Sequence, residues 1–216
     1  SGTSIATPNV AGAAALVREY LMTQRSVSNP SAALVKSIIL NGGDHMSNGI
    51  PNTNYGWGRM NLSQSFADDM NNNFAFWDVT QGLTTNGVRE YTVLVYESKP
   101  LRITLDWTDR EACPEPGCSG TLPKLINDLD LVVIDTNGQQ FYGNDMTSPY
   151  NDQADRRNNV ERVEIAVPVT GYYTLRVRGF NVPVGTQDFA LVASYQNSND
   201  LMGCITNGPS PGNVVC

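Results

Sequence analysis

Ser4 follows Gly2 and Thr3 and precedes Ala6-Thr7-Pro8 and Val10-Ala11-Gly12. A serine hydroxyl is a weak nucleophile until a neighbouring base takes its proton. In the first turn of a helix it gains a second advantage. The free N–H groups there, its own included, face any negative charge that develops on an attacked carbonyl. Gly2 permits close backbone approach, and Ala6, Ala11, Gly12, Ala13 and Ala14 let the following helix lie against a neighbour. Gly-Thr-Ser alone reads equally well as a capped helix start, since Ser and Thr are favoured caps.

A second set of side chains could hold a cation. Asp128 and Asp130 sit two apart in a strand-like run, so both project from one face. Asp109 ends the preceding strand, and Asn144-Asp145 ends the next. Calcium takes about six to eight oxygens from carboxylates, amides and carbonyls. An acidic cluster of this kind repels itself without a cation. Asp152, Asp155 and Glu161 are further donors within reach. The alternative is a solvated polar strand face with turn-forming Asn and Asp. Arg156, Arg157, Arg162, Arg176 and Arg178 alternate near Glu161 and Glu164 and read as cross-strand ion pairs.

The elements that must position these residues fall into two regions. Residues 1 to about 70 carry a helical period. Val10, Ala14, Val17 and Leu21 recur at spacings of three and four and predict one buried stripe, on a helix starting close to Ser4. Pro8 is then accommodated in the first turn. A second helix is expected from Asn29-Pro30, with Leu34, Val35, Ile38 and Ile39 on one side and a stop at Asn41-Gly42-Gly43. A third follows Asn61 with Leu62, Phe66 and Met70 in line, after the glycine-punctuated connector 54–61.

From about Phe76 the period becomes two. Leu101, Ile103, Leu105 and Trp107 alternate with polar residues, as one half-buried strand should. Val163, Ile165 and Val167 alternate likewise, as do Tyr173, Leu175 and Val177, then Phe189, Leu191, Ala193 and Tyr195. Turns are expected at 136–138, 169–171 and 182–185. Strands with no helices between them predict a β-sandwich or jelly roll. The division is 1–72, 73–197 and an irregular tail, 198–216.

With 216 residues, 40% hydrophobic and 16% charged, the composition is globular. A net charge of −7 argues against nucleic acid and against anionic membranes as partners. No apolar run approaches membrane-spanning length. The absence of a leader or an initiator methionine suggests a piece of a longer precursor. Cys113 and Cys118 flank a short loop, while Cys204 and Cys216 bracket the tail. The two local pairings are favoured over free thiols and, with one histidine, over zinc, which places the chain in an oxidising, extracellular setting. That histidine, His45, follows a helix-ending turn and reads as a loop residue rather than a catalytic base.

The run GTSIATPNVAG, with AGAAAL after it and Tyr55-Gly56-Trp57-Gly58 leading to Met60-Asn61, resembles the end of the catalytic domain of subtilisin-like serine proteases (peptidase family S8). Asn9 departs from the histidine common there. The runs LRITLDWTD, INDLDLVVIDTNGQQFYGND and GYYTLRVRGFNVPVGTQDFALV resemble the C-terminal jelly-roll domain of oxidatively stable alkaline proteases, which is related to convertase P-domains. The insert 113–118 has no place in that pattern.

The resemblance implies an α/β catalytic-domain remnant, helical in this stretch, followed by an all-β jelly-roll or β-sandwich domain. It implies a secreted endopeptidase acting on proteins or peptides. Ser4 would be the nucleophile and Thr3 would support the oxyanion pocket. The missing N-terminal part would supply Asp, His and the oxyanion Asn, so this chain alone should be inactive. It also implies structural calcium, with Asp109, Asp128, Asp130, Asn144 and Asp145 as first choices of ligand. Two other readings stand beside it: a calcium-binding recognition module on an inactive remnant, and a pseudo-enzyme.

Overall fold

A computed structural model describes residues 2–46, 51–52, 54–66, 73–97, 99–112, 124–145 and 153–195. Cys113, Cys118, Cys204, Cys216, Asp152 and Met70 lie outside the described residues. Among the described residues, three helices, α1 (Thr3–Thr23), α2 (Ala32–Asn41) and the single turn α3 (Leu62–Ser65), precede eight strands. These are β1 (Asn73–Leu83), β2 (Val88–Val95), β3 (Leu101–Asp106), β4 (Asp128–Ile134), β5 (Gln140–Tyr142), β6 (Val160–Ile165), β7 (Gly171–Asn181) and β8 (Gln187–Tyr195). They form two antiparallel four-stranded sheets, β1-β8-β3-β6 and β2-β7-β4-β5.

Strand alternation places one apolar row from each sheet in a shared core. Ile103, Leu105, Leu191 and Phe189 from the first sheet meet Leu129, Leu131, Leu175 and Val177 from the second. Trp107, just past β3, is fully buried in that core, and its indole N–H donates to the Asn127 carbonyl at 2.9 Å. Tyr173 is also buried, with its hydroxyl 3.0 Å from both the N–H and the carbonyl of Val169. It closes the turn into β7 without leaving a polar group unpaired.

The outer face of the first sheet is apolar too, and the helices lie on it. Phe74, Phe76, Ala190 and Val192 pack against Val17, Leu21, Ala33, Leu34 and Ile38. This explains a departure from the expected half-buried strand. Thr104 and Asp106, polar and facing away from the core, are also buried on β3 because α2 covers them. Thr104 Oγ1 donates to Asn41 Oδ1 at 2.9 Å, and Asn41 Nδ2 donates to Ser194 Oγ at 3.0 Å. The Lys36 ammonium lies 3.1 Å from Asp106 Oδ2. Arg25 fixes the far end of α1, donating to the Phe74 carbonyl at 3.3 Å beside the Tyr20, Phe74 and Phe76 rings.

Other expectations shift locally. The buried stripe of α1 is Ala13, Val17 and Leu21, and Val10 is 47% exposed because none of the described residues packs on that half of the helix. α2 is capped by Ser31 rather than Asn29, with the Ser31 hydroxyl accepting the Leu34 N–H at 3.0 Å. Gly42 ends α2 with φ −83°, not in the left-handed region. It is glycine for want of space, since a Cβ there would strike the Ser65 hydroxyl and backbone. Val167 lies past the end of β6 and is 79% exposed, so the third residue of that alternating run falls outside the strand.

Candidate functional site

Ser4 occupies the first turn of α1, two residues past the N-cap Gly2. The Ile5 and Ala6 N–H groups both donate to the Gly2 carbonyl, at 3.0 and 3.2 Å. The N–H groups of Thr3 and Ser4, by position, have no partner within the helix and point out of its N-terminal end. No side-chain cap covers that end.

Pro8 lies in the second turn and not the first, so it withholds an N–H from the Ser4 carbonyl. The residues on either side compensate at the neighbouring carbonyls. Thr7 Oγ1 donates to the Thr3 carbonyl at 2.8 Å, and Asn9 Nδ2 donates to the Ile5 carbonyl at 3.1 Å. Asn9 therefore serves the helix backbone. Residues 2–12 are exposed throughout, Ile5 at 62%. The nucleophile candidate is thus on an open, small-residue apolar half-helix.

His45 is engaged elsewhere. Its Nε2 lies 2.7 Å from Glu164 Oε2. Glu164 also meets Arg102 Nε at 3.1 Å and Arg162 Nη2 at 2.8 Å. Burial pushes the Glu164 carboxyl up, but the two guanidiniums and His45 overcome it and hold it below the usual range. Arg162 is buried and donates from Nη1 to the Leu40 carbonyl at 3.1 Å, a cation at the C-terminal end of α2. This network joins the helices to the edge of the first sheet.

The carboxylates expected to bind a cation divide. Asp109 organises a loop: it accepts the N–H groups of Arg110, Ile126 and Asn127 at 2.8 to 2.9 Å. The Asp145 N–H donates to the Tyr142 carbonyl, continuing the turn after β5. Asp128 and Asp130 share the face of β4 opposite its core row, as the spacing of two requires. Both are clasped by Arg156, whose Nη1 lies 3.2 Å from Asp128 Oδ2 and in contact with Asp130 Oδ1. Arg156 and Arg157 are not on strands but in the connection before β6, so the expected cross-strand pairing does not hold for them. It does hold for Arg176, opposite Glu90 at 2.6 Å.

β5 pairs with β4 only along Val132–Ile134, leaving the start of β4 open on that side. Glu161 fills the opening. It shares the inward face of β6 with Val163 and reaches across to accept the Leu131 N–H with Oε2 at 2.6 Å. Its Oε1 is buried and has no hydrogen-bond partner among the described residues. Burial, with Asp130, Asp155 and Asp128 nearby, drives its carboxyl well above the ordinary value. Asp128 is pushed up to about 6, by burial first, against the pull of Arg156. Asn144 adjoins the group: its Nδ2 donates to Asp155 Oδ2 at 2.6 Å and to the Val160 carbonyl at 2.8 Å. Among the described residues, no three acidic, His or Cys side chains converge on a common point. Sequence reasoning kept Glu161 and Asp155 in reserve and gave Arg156 another role. The through-space clasp carries no local spacing signal.

Residues 1–58 match the subtilase family. The match covers α1, α2 and the connector after them, and the family is one of proteases. Most of the chain is also similar to two serine protease/ABC transporter B family proteins of Dictyostelium discoideum. It is 25% identical to tagD, over 91% of this chain and 14% of that protein. It is 25% identical to tagA, over 93% of this chain and 12% of that protein. The alignments therefore run on through the two sheets, but the chain spans well under a fifth of each relative's length. Among solved structures, a periplasmic inhibitor of g-type lysozyme from Aeromonas hydrophila overlaps 59% of this chain and 87% of its own, at 13% identity and a TM-score of 0.30. That overlap is too slight to inform the fold. Among the described residues, no helix is long and apolar enough to cross a membrane.

Proposed function

We propose that this chain is the C-terminal portion of a secreted subtilisin-like serine endopeptidase, with Ser4 as its nucleophile and Thr3 beside the oxyanion pocket. One observation carries the reading: within the subtilase-matching segment, Ser4 opens a helix whose first half is apolar, small-residued and uncovered. Such a surface fits the remainder of a catalytic domain supplied from upstream. There a His, oriented by an Asp, would take the Ser4 proton as Oγ attacks a peptide carbonyl. The first-turn N–H groups would steady the oxyanion. The His would pass the proton to the leaving amine, and water would then hydrolyse the acyl-enzyme. This chain alone is inactive.

The two-sheet region is a jelly-roll sandwich that stabilises the catalytic domain. Support comes from the strand orders, which give two four-stranded sheets in which every neighbouring pair except the β4–β5 hairpin joins strands that do not follow one another in the sequence. The apolar outer face, covered by α1 and α2 rather than open as a groove, favours stabilisation over a free recognition module. Calcium is the proposed structural cofactor. The support is Glu161 Oε1, buried and without a hydrogen-bond partner among the described residues, with Asp130, Asp155 and Asp128 near enough to act on its carboxyl. Disulfides at the four cysteines belong to the same extracellular setting.

Fluorophosphonates modify a serine only when its base activates it. The parent protein is expected to be labelled at Ser4, and this chain alone is not. A parent protein that folds yet leaves Ser4 unlabelled would be a pseudo-enzyme, and the reading fails.

A further inference from the structure

We propose that the open edge of β2 is a docking surface for a second copy of this chain, joined by antiparallel β2–β2 pairing across a two-fold axis. A sheet edge is a row of unpaired N–H and C=O groups, and folds blunt such edges with bulges, brevity or caps. Among the described residues, three of the four edges are blunted in this way. β1 breaks register between Val79 and Leu83, and Arg25 and Arg89 donate to its Phe74 and Gln81 carbonyls at 3.3 and 2.7 Å. β5 is only three residues long. On β6, the Asn144 N–H donates to the Arg162 carbonyl at 2.8 Å, and Asn144 Oδ1 accepts the Arg162 N–H at 3.0 Å.

β2 carries none of these devices. Its eight residues pair with β7 in unbroken register, from Val88–Arg178 to Val95–Gly171, and include no proline. Just before the strand, the Gly179 N–H donates to the Gly87 carbonyl at 2.9 Å. Antiparallel bonding alternates along a strand. The odd-numbered residues of β2 therefore bond β7, while Val88, Glu90, Thr92 and Leu94 turn N–H and C=O to the open side. Among the described residues, no hydrogen bond reaches that side. Arg89 is the inward-facing charge that would guard it, but its guanidinium is drawn off to the Gln81 carbonyl of β1.

This edge complements itself. Residues opposite one another in an antiparallel pair share a face, so the two-fold passes through a residue and not between two. Centred on Tyr91, it aligns residues 88–94 with their counterparts. Val88 then meets Leu94 of the second copy, Arg89 meets Val93 and Glu90 meets Thr92, so no like charges face each other. At the axis the two Tyr91 rings meet in a non-hydrogen-bonded pair, where side chains lie closest. Each ring already lies 4.5 Å from Trp77 in its own copy, so the pair extends an aromatic contact already made. Val88, 49% exposed in one chain, gains cover from Leu94. An unrelated extended peptide would gain the backbone bonds without the ring pair or the charge match.

Sedimentation velocity of the purified chain is expected to show a concentration-dependent dimer. Thr92→Pro removes an N–H that faces the open edge, so it should fold with β2 still paired to β7 and yet stay monomeric. Val88→Lys should weaken dimerisation on the order of ten-fold, and it decides the matter if the proline lowers the melting temperature. Ile5→Lys, on the open half of α1, should leave the dimer unchanged. Tyr91→Cys should cross-link to its own counterpart on mild oxidation, as a pair on the axis must. A monomer at every concentration, or a dimer that both β2 variants leave intact, would overturn the proposal. So would a dimer lost only in Ile5→Lys, which would place the contact on α1.

Discussion

Leu105 on β3 and Ile5 on α1 are side chains of the same size in opposite circumstances. Leu105 is fully buried between the sheets, while Ile5 is 62% exposed on a half-helix that is open throughout. The two-sheet region closes around its own residues, and its second apolar face is covered by the ends of α1 and α2 that lie nearest it. The first half of α1 carries Ile5, Ala6, Val10 and Ala11 and is exposed, with no cover among the described residues. Apolar sequence thus marks surface meant to be buried without saying which chain segment does the burying.

The largest expected effect tests that contrast directly. Leu105→Ala should lower unfolding free energy by about 2–5 kcal/mol, and Ile5→Ala should stay within about 0.5 kcal/mol, both read by chemical denaturation of this chain. Comparable losses at the two positions would mean that α1 is covered in solution. In the parent protein the Ile5→Ala cost should rise.

A smaller effect sharpens the boundary where the regions meet. Burial pushes the Asp106 carboxyl up to about 7, against the pull of Lys36. Between its ordinary value and about 7 the folded protein holds a proton that the unfolded chain has released. The contribution of Asp106 is therefore complete below about pH 4 and is lost as pH rises through about 7. Asp106→Asn should flatten this part of the stability profile and be the more stable form at pH 8, by on the order of 2–4 kcal/mol. A profile unchanged by the substitution would show that α2 does not desolvate this carboxylate.

The smallest effect belongs to the exposed outer face of the second sheet. Arg176→Ala removes a surface pair with Glu90 and should cost less than about 1 kcal/mol, fading with added salt. A larger, salt-insensitive loss would mean that this face is covered as well.

The legible parts of the molecule were those in which one local rule was enough. Leu175 and Val177 alternate because one face of β7 meets the opposing sheet. Reading failed where a third layer intervened. Thr104 and Asp106 look like solvent-facing residues, yet they are buried by Asn41 and Lys36, more than sixty positions away. Val10 was counted into a buried stripe because periodicity records a face and not its partner. Arg156 reads as one half of a strand pair because its clasp on Asp128 and Asp130, which joins a loop to a distant strand, leaves no local signal.

β8 lies between β1 and β3, and α2 rests on its Ala190 and Val192. A ribosome delivers these pieces in the reverse of the order the fold needs them. The helices and β1 emerge first, but the strand that gives β1 a neighbour and the helices a floor emerges last of the eight. Until residue 195 has cleared the exit tunnel, β1 lacks its β8 partner and the faces of α1 and α2 lack Ala190 and Val192 to rest on. β8 therefore acts as a timer on synthesis: a chain stopped before it is not a shorter version of this protein but an unfinished one, open to chaperones and to aggregation.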